Sequence, residues 1–365
     1  MARRLLEYAV DDQWTVDDER VVRLRDEIEG EKIMMSEQDK NLDGALGRML
    51  VMEVGRVTEA AAIACAKWNG RGDVKAADGA ATDAMRSELS RINIQGKVVI
   101  GEGEMDEAPM LYIGEELGTG EGPAVDIAVD PLEGTTLCAK AMPNALAVLA
   151  ISERGGLLHA PDMYMDKIAV GPGLPEGVVD LDRSVKENLE AVAKGRGKPI
   201  NEITACVLDR PRHAEIIQAV RDAGASVQLI SDGDIAGVIW TTDPEQTNVD
   251  IYLGSGGAPE GVLAAAALRC TGGQMQGRLL PANEAERARA TKMGADVNKK
   301  YTVDEMASGD VIFSATGVTD GSLLKGVHFR GDFAETETVV MRSVTGTVRR
   351  VKTTFRNIGT KLAML

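Results

Sequence analysis

Aromatic residues, cysteines and histidines are scarce in this chain of 365 residues: Phe, Trp and Tyr make up 3% of it, and there are four Cys and three His. The cysteines, at positions 65, 138, 206 and 270, are widely spaced and form no CxxC pair. This spacing argues against a zinc site and against a disulfide framework. Each cysteine lies in an apolar segment, so we interpret all four as small buried side chains in a protein of the reducing cytoplasm.

Basic residues are outnumbered, with 41 Lys and Arg against 57 Asp and Glu, which gives a formal net charge of −16. No broad basic face is therefore available to neutralise a nucleic-acid backbone, and we expect no nucleic-acid partner. The average field of the protein repels anions. An anionic substrate would have to be received by local cations or by bound metal.

Long apolar runs are also missing. No segment approaches the eighteen or so apolar residues of a membrane helix, and the N-terminus has no apolar signal core, so we expect no membrane partner and a cytoplasmic location. Residues 1–44 are rich in acidic side chains, which counts against a transit peptide. We interpret them as a peripheral acidic arm.

The remaining sequence alternates in the manner of a layered α/β protein. Helical spacing over residues 50–64 and 79–92 precedes apolar runs typical of buried strands at 97–100 and 125–129. Strands and helices then alternate between residues 204 and 270, and residues 339–351 resemble a closing hairpin. We predict that further strands over 145–151 and 167–170 continue the first sheet. The predicted units are the arm 1–44, an α+β subdomain 45–200, an α/β subdomain 201–355 and a tail 356–365.

Two acidic turns follow predicted strands in the first half. Asp130-Pro131-Leu132-Glu133-Gly134-Thr135-Thr136 puts two carboxylates and two hydroxyls in one tight turn, and hard divalent cations prefer such oxygen clusters. Gly101-Glu102-Gly103-Glu104-Met105-Asp106-Glu107 holds four carboxylates that repel one another unless they are neutralised. For both turns the alternative is an ordinary solvated acidic loop. Upstream, Asp78 opens the second predicted helix, where capping is its alternative role.

Three polar turns follow the strands of the second half: Arg210–His213, Ser231–Asp234 and Gly254–Gly261. Ligands of open α/β sheets bind at the carboxyl ends of strands, so we expect these turns to meet at one edge. The guanidinium groups of Arg210 and Arg212 are well suited to bind a phosphate. The glycine-rich turn matches neither the GxGxxG fingerprint nor a P-loop, which disfavours a dehydrogenase or an NTPase.

The turn Asp130–Thr135 after an apolar strand resembles the metal-binding signature of the lithium-sensitive, metal-dependent sugar phosphatases. A further set of motifs, in the same order and spacing from about Met49 to Val351, is similar to the class II fructose-1,6-bisphosphatases of the bacterial GlpX type. The motifs are Gly70–Asp73, Ala77–Ala80, Val99–Glu104, Ala108–Tyr112, Arg210–His213, Asp232–Asp234 and Gly256–Gly261.

The resemblance implies a layered αβαβα sandwich, assembled as a dimer or tetramer, that hydrolyses the 1-phosphate of fructose 1,6-bisphosphate. It implies two or more Mg²⁺ or Mn²⁺ ions per subunit, one held by Asp78 and Glu102 and another by Asp130, Glu133 and Glu260. Thr135 would orient or deprotonate the attacking water, with Asp78 and Glu102 as further catalytic residues. The implied substrate contacts are Glu133, Gly134, Thr135, Tyr164, Arg210, Pro211, Arg212, Asp232, Gly233, Asp234 and Gly257.

Three other functions stay open at this point. Sedoheptulose-1,7-bisphosphatase activity could accompany the main reaction, as in photosynthetic relatives of the family. A sugar or inositol monophosphatase is the nearest different enzyme, although Glu133 stands where inositol monophosphatases show Asp. A sugar-phosphate binding protein without catalysis is the alternative from another class.

Overall fold

A computed structural model describes residues 46–103 and 110–356. The predicted arm 1–44, the end of the chain and the second half of the second acidic turn, with Glu104, lie outside the described residues. Ten α-helices are present in the described part. They are α1 (Leu50–Ala66), α2 (Val74–Leu89), α3 (Thr135–Ala139), α4 (Val185–Arg196), α5 (Ala214–Asp222), α6 (Asp234–Trp240), α7 (Pro244–Thr247), α8 (Ala258–Thr271), α9 (Glu284–Lys292) and α10 (Val303–Met306).

The strands form two mixed sheets. The first has the order β12-β13-β11-β4-β3-β1-β2, with β14 paired to β13, and the second has the order β10-β9-β5-β8-β6-β7. The strands are β1 (Gln95–Ile100), β2 (Glu116–Leu117), β3 (Ala124–Glu133), β4 (Leu146–Glu153), β5 (Tyr164–Val170), β6 (Thr204–Leu208), β7 (Ser226–Ile230), β8 (Ile251–Gly257), β9 (Gln274–Leu280), β10 (Tyr301–Thr302), β11 (Val311–Gly317), β12 (His328–Arg330), β13 (Phe333–Arg342) and β14 (Thr347–Arg356).

The three largest apolar clusters of the described residues lie between five layers of helices and sheets. Residues of α1 and α2 pack on one face of the first sheet. Residues of α6 and α8 fill the space between the two sheets. Residues of α4 and α5 cover the outer face of the second sheet. The architecture is therefore the layered αβαβα sandwich that the sequence resemblance implied.

The start of α2 differs from the prediction. The helix begins at Val74, and the side chain of Asp73 caps it by accepting a hydrogen bond from the Ala76 amide at 3.0 Å. Asp78 therefore lies inside the helix and does not cap it. Its carboxyl group is free for another role.

Strand β5 also lies elsewhere than predicted. Residues 164–170 belong to the second sheet, where β5 pairs antiparallel with β8 and β9. The first sheet continues instead through β11 and β13, which come from the end of the chain. The predicted hairpin is confirmed as β13 and β14. The domain boundaries near residues 44, 200 and 355 stay predictions.

The strand directions bring the polar turns together. Strands β1 and β3 are parallel, so the turns after Ile100 and around Asp130 lie at the same edge of the first sheet. Strands β6, β7 and β8 are parallel to one another as well. Their carboxyl ends carry the three polar turns of the second half, as the sequence predicted. Among the helices of residues 46–103 and 110–356, none is long and apolar enough to cross a membrane.

Candidate metal centre and active site

A cavity of about 350 Å³ opens where the polar ends of the two sheets face each other. Acidic side chains dominate its polar lining, together with the turn that begins α3. The polar and glycine residues of the lining are Asp78, Gly101, Glu102, Gly103, Asp130, Glu133, Gly134, Thr135, Asp162, Asp232 and Glu260.

The end of β3 supplies two of these carboxylates. The register between β3 and β4 shifts between Asp130 and Glu133, so the strand is irregular there. One oxygen of Asp130 accepts a hydrogen bond from the Leu132 amide at 3.2 Å. Gly134 then adopts the left-handed conformation, with φ of 79°, and Thr135 begins α3. This backbone shape is easy for glycine and lets the turn direct Asp130, Glu133 and Thr135 into one cavity.

Glu133 is tied to the second half of the chain. Its Oε1 accepts a hydrogen bond from the Ile235 amide at 3.2 Å, in the first turn of α6. Amides at a helix start favour a negative partner. The contact joins the acidic turn of the first sheet to the turn that follows β7.

Glu260 comes from the first turn of α8. A Cβ atom at Gly257 would lie 1.9 Å from Glu260 Oε2, so only glycine leaves room for this carboxylate. That Oε2 atom is buried and has no hydrogen-bond partner among the described residues. A buried carboxylate oxygen without a partner is costly unless something else neutralises it.

Asp130, Glu133 and Glu260 form a compact set of possible ligands. Each offers one carboxylate oxygen, and the three oxygens lie within 4.8 Å of one another. Hard divalent cations take such oxygen ligands. The buried, unpartnered oxygen of Glu260 and the close approach of three carboxylates fit a bound cation, so the residues present suit a divalent metal ion.

The pKa values of the carboxyl groups in the cavity also indicate that these groups need a compensating positive charge. Burial, with the charges of Asp130, Asp78 and Glu260, raises the pKa of Glu102 to about 8. Burial, with Glu260 and Asp78, raises the pKa of Asp130 to about 7. The pKa values of Glu133 and Glu260 are raised mainly by burial, with further rises from neighbouring carboxylates. Like charges in a buried site disfavour ionisation until a cation compensates them.

Asp78 and Glu102 lie on a second wall of this cavity. Asp78 projects from α2, and burial raises the pKa of its carboxyl group. Glu102 follows β1, and its amide donates to the Leu111 carbonyl at 3.0 Å. The charge of Asp78 raises the pKa of Asp130, and the charges of Asp130 and Glu260 raise the pKa of Glu102. Both carboxyl groups therefore lie within electrostatic range of the three-carboxylate set.

A basic corner lies at the end of the second sheet, where we group Tyr164, Arg210, Arg212, His213 and Ser255. The Arg212 guanidinium stacks over the Tyr164 ring, 4.8 Å from its centroid. It donates from Nε to Ser255 Oγ at 3.1 Å and from Nη2 to the Ser255 carbonyl at 2.8 Å. It forms no ion pair with a carboxylate in the described part of the chain. Arg210 differs, because its Nη2 lies 3.6 Å from Asp232 Oδ1.

Comparison with known proteins identifies the family. The family model described as bacterial fructose-1,6-bisphosphatase, glpX-encoded, matches residues 48–355. The chain belongs to this family. The fructose-1,6-bisphosphatase 1 class 2 of Escherichia coli strain K12 is 49% identical over 319 residues, which cover 84% of this chain and 94% of the relative. The fructose-1,6-bisphosphatase class 2 of Shigella flexneri matches with the same identity and the same coverage.

One solved structure gives a much weaker likeness. The extragenic suppressor from Pyrococcus furiosus matches 51% of this chain and 67% of its own at 15% identity, with a TM-score of 0.26. That similarity is too low to support any argument about this member of the bisphosphatase family.

In this bisphosphatase-family chain, the residues singled out from the sequence separate into two groups. The metal candidates all line the acidic cavity, as do Gly134, Thr135 and Asp232. The basic corner holds Tyr164, Arg210 and Arg212, with Pro211 between the two arginines. Gly233 and Gly257 adjoin the acidic set, since a Cβ at Gly233 would lie 3.9 Å from Glu133 Oε1.

Asp234 is engaged by a residue of the protein itself, and its contact with a substrate stays a prediction. Its side chain is buried, and its Oδ2 accepts a hydrogen bond from Lys167 Nζ at 2.5 Å. A Cβ atom at Gly256 would lie 2.0 Å from that oxygen, so the glycine-rich turn makes room for this carboxylate as well.

Lys167 is a residue of the site that sequence reasoning missed. It is 1% exposed in the middle of β5, and its charge lowers the pKa of Glu260. A lysine at the start of the predicted buried run 167–170 was the available signal, because a buried lysine needs a partner. Asp162 was missed as well, although it lines the cavity and its charge raises the pKa of Glu260.

Proposed function

We propose that this chain hydrolyses fructose 1,6-bisphosphate to fructose 6-phosphate and inorganic phosphate. Membership of the bisphosphatase family supports the substrate. The observation that carries the proposal is the pairing of one cavity rich in carboxylates with an arginine that has no carboxylate partner in the described part of the chain. A bisphosphate can meet both, since it carries an anionic group at each end.

The carboxylates would hold Mg²⁺ or Mn²⁺, two or more ions per subunit. Asp130, Glu133 and Glu260 would bind one ion, and Asp78 with Glu102 would bind another. Divalent cations at such a site supply a water of lowered pKa and offset the negative charge that grows on the phosphoryl group. The buried oxygen of Glu260 without a partner is the structural support for the first ion.

Thr135 would position the attacking water. It is the first residue of α3 and lines the cavity beside Glu133 and Gly134. Its hydroxyl can accept a hydrogen bond from water and pass a proton to a neighbouring carboxylate. Glu102 lines the same cavity and would be one acceptor once a bound cation favours the ionised form of its carboxyl group. No side chain needs to act as a covalent nucleophile.

The basic corner would hold the far phosphate and the sugar. Arg212 has donor groups left after its two bonds to Ser255, and a guanidinium suits a phosphate. Arg210 would assist it, the Pro211 carbonyl would accept a hydrogen bond from a sugar hydroxyl, and the half-exposed Tyr164 ring lies beneath. Asp232 lines the cavity and is better placed than the buried Asp234 to accept a hydrogen bond from a sugar hydroxyl.

Charge explains why such a protein needs its cations before it can bind its substrate. A chain of net charge −16 with seven carboxyl groups lining one cavity repels a bisphosphate. Bound divalent cations reverse the local charge and turn the same cavity into an attractive site for phosphate.

The test is phosphate release from fructose 1,6-bisphosphate, sedoheptulose 1,7-bisphosphate, fructose 1-phosphate and inositol 1-phosphate, with Mg²⁺, Mn²⁺ or EDTA. We expect metal-dependent release of one phosphate from fructose 1,6-bisphosphate. Release from sedoheptulose 1,7-bisphosphate as well would add the second activity. Release only from monophosphates would move the chain to the monophosphatase alternative, and release from none would favour a binding protein.

Self-association as a dimer or tetramer stays a prediction of the family resemblance. Sedimentation velocity of the full chain would distinguish the two assemblies from a monomer.

A further inference from the structure

We infer that His213 is a positioning residue that holds Arg212 in the orientation required to bind the far phosphate of the substrate. This inference rests on the proposed function, in which Arg212 receives that phosphate. It depends on a chain of hydrogen bonds from the end of β6, through His213 and Ser255, to Arg212.

The hydrogen bonds determine which nitrogen of His213 carries the proton. The Ser255 amide donates to His213 Nε2 at 2.8 Å, so Nε2 is an acceptor. Nδ1 then carries the hydrogen and donates to the Leu208 carbonyl at 2.8 Å. The ring is therefore neutral and bridges two neighbouring strands, β6 and β8, at their carboxyl ends. It is 1% exposed, so water does not compete for these bonds.

The same acceptor orients the Ser255 hydroxyl. His213 Nε2 lies 3.1 Å from Ser255 Oγ, and a neutral Nε2 can only accept there, so the hydroxyl points its hydrogen at the ring. The lone pairs of Ser255 Oγ are then left to accept from Arg212 Nε at 3.1 Å. The Ser255 amide and hydroxyl share the Nε2 acceptor, and this arrangement leaves Ser255 Oγ to accept from Arg212.

Arg212 is held without being neutralised. Its bonds go to a hydroxyl and a carbonyl, and its flat face lies on the Tyr164 ring. Such contacts fix the plane of the guanidinium but leave its positive charge for an anion. Burial and the Arg212 charge lower the pKa of His213, while Asp166 nearby acts in the opposite direction, which agrees with a neutral ring. A Cβ atom at Gly254 would lie 3.1 Å from His213 Nε2, so the strand leaves just enough room for the ring.

Two substitutions at position 213 test separately the hydrogen bond to Leu208 and the hydrogen bonds from Ser255. The amide of Asn can replace Nδ1 as the donor to Leu208 but does not reach Ser255. The longer Gln can replace Nε2 as the acceptor for Ser255. The test is the Kd of fructose 6-phosphate, determined by titration calorimetry. This molecule carries only the far phosphate, and its binding can be measured without turnover.

We expect His213→Asn to raise the Kd of fructose 6-phosphate about tenfold, which corresponds to about 1.4 kcal/mol. His213→Gln should raise it by less, about two- to threefold. Ser255→Ala should match His213→Asn, and the double variant should be no weaker than either single variant because the residues act in one chain. In turnover assays the same variants should raise KM for fructose 1,6-bisphosphate and leave kcat nearly unchanged. The matched control is His328→Asn, an exposed histidine paired with Asp320 outside the site.

An unchanged Kd in His213→Asn and Ser255→Ala, with Arg212→Ala weakened, would overturn the inference. Equal losses in His213→Asn and His213→Gln, with a matching fall in kcat, would also overturn it, because they indicate a merely structural histidine. Failure of the proposed function looks different. In that case the wild-type protein releases no phosphate, yet the Kd of fructose 6-phosphate still depends on position 213.

Discussion

The two polar ends that meet at the cavity handle charge in opposite ways. At the end of the first sheet the carboxyl groups of Glu102, Asp130 and Glu133 crowd together, and their pKa values are raised. At the end of the second sheet every described cation has a defined partner, such as Ser255 for Arg212 and Asp234 for Lys167. The acidic end is incomplete without added positive charge, whereas the basic end is already organised.

This difference shows how one site can bind both cations and a bisphosphate. Crowded carboxylates bind a divalent cation because the cation favours their ionised form and the ionised form is the one that binds metal. Prearranged donors bind phosphate well because their side chains lose little conformational freedom on binding. The predictions below change one end at a time.

Asp130→Asn should have the largest effect. It removes one charged ligand while keeping the size of the side chain, so we expect kcat to fall by about 10³-fold or more. The metal-free protein should become more stable, because one of several repelling carboxylates is gone. Phosphate release and urea unfolding measure the two effects. Asp332→Asn, at an exposed turn, is the control, and near-normal rates at saturating Mg²⁺ would remove Asp130 from the metal site.

Thr135→Ala tests the proton-transfer step at the acidic end. We expect kcat to fall by roughly 10²–10⁴-fold, the usual range for a positioned proton-transfer group, with little change in KM. The exposed neighbour Thr136→Ala should retain normal kinetics. An effect confined to KM would contradict the role assigned to Thr135.

Lys167→Met tests the organisation of the basic end. The substitution leaves Asp234 buried without its partner, which should lower the free energy of unfolding by about 3–5 kcal/mol. Lys300→Met removes a more exposed lysine that pairs with Asp180 and Asp182, and it should lower the free energy of unfolding much less, because solvent screens a surface ion pair. Urea unfolding compares them. Equal losses would show that the buried pair contributes no more than a surface pair.

Without metal, the free energy of unfolding should fall as the pH rises. Asp130 and Glu102 have ordinary pKa values of 3.8 and 4.5, which the fold raises to about 7 and about 8. A raised carboxyl pKa means that the folded state holds its proton more tightly than the unfolded state does. The metal-free protein should therefore lose stability as the pH rises from about 4 to about 8.

Added Mg²⁺ should oppose that loss. At a concentration one hundredfold above its Kd it should stabilise the fold by about 2.7 kcal/mol, and the Kd should be lower at pH 8 than at pH 6. Unfolding curves with Mg²⁺ or EDTA at both pH values measure this effect. A metal-free protein that is more stable at pH 8 than at pH 6 would show that the carboxylates are not crowded as described.

Arg212→Ala should have a smaller effect than the changes at the acidic end. We expect kcat/KM for fructose 1,6-bisphosphate to fall about tenfold or somewhat more, with little change for fructose 1-phosphate. Arg210→Ala should lower it less, because Arg210 is already paired with Asp232. Intact activity of Arg212→Ala on the bisphosphate would favour the monophosphatase alternative.

Local patterns predicted most of the helices and strands, because hydrophobic periodicity is a local property. The alternation between residues 204 and 271 is an example. The start of α2 is an exception, because the periodicity places it near Gly79, with capping as an alternative role for Asp78, whereas the helix begins at Val74 and Asp73 caps it. Sheet membership is not local, so the prediction that residues 167–170 continue the first sheet was wrong.

The acidic cavity could be predicted to a large extent, since its carboxylates follow strands whose ends meet at one edge. Its long-range contacts could not. Lys167 and Asp234 are 67 positions apart, and His213 and Ser255 are 42 apart. Nothing in the neighbouring residues of Lys167 indicates which carboxylate neutralises it, and only the arrangement of the strands brings the partners together.

The central claim is that the acidic end promotes the attack of water on the 1-phosphate while the basic end holds the other phosphate. The most direct test is ³¹P NMR of fructose 1,6-bisphosphate incubated with the protein and Mg²⁺, quenched with EDTA. We predict that the 1-phosphate signal is lost and that fructose 6-phosphate and inorganic phosphate appear in equal amounts, with no reaction in EDTA. Accumulation of fructose 1-phosphate, or release of phosphate in EDTA, would contradict the account.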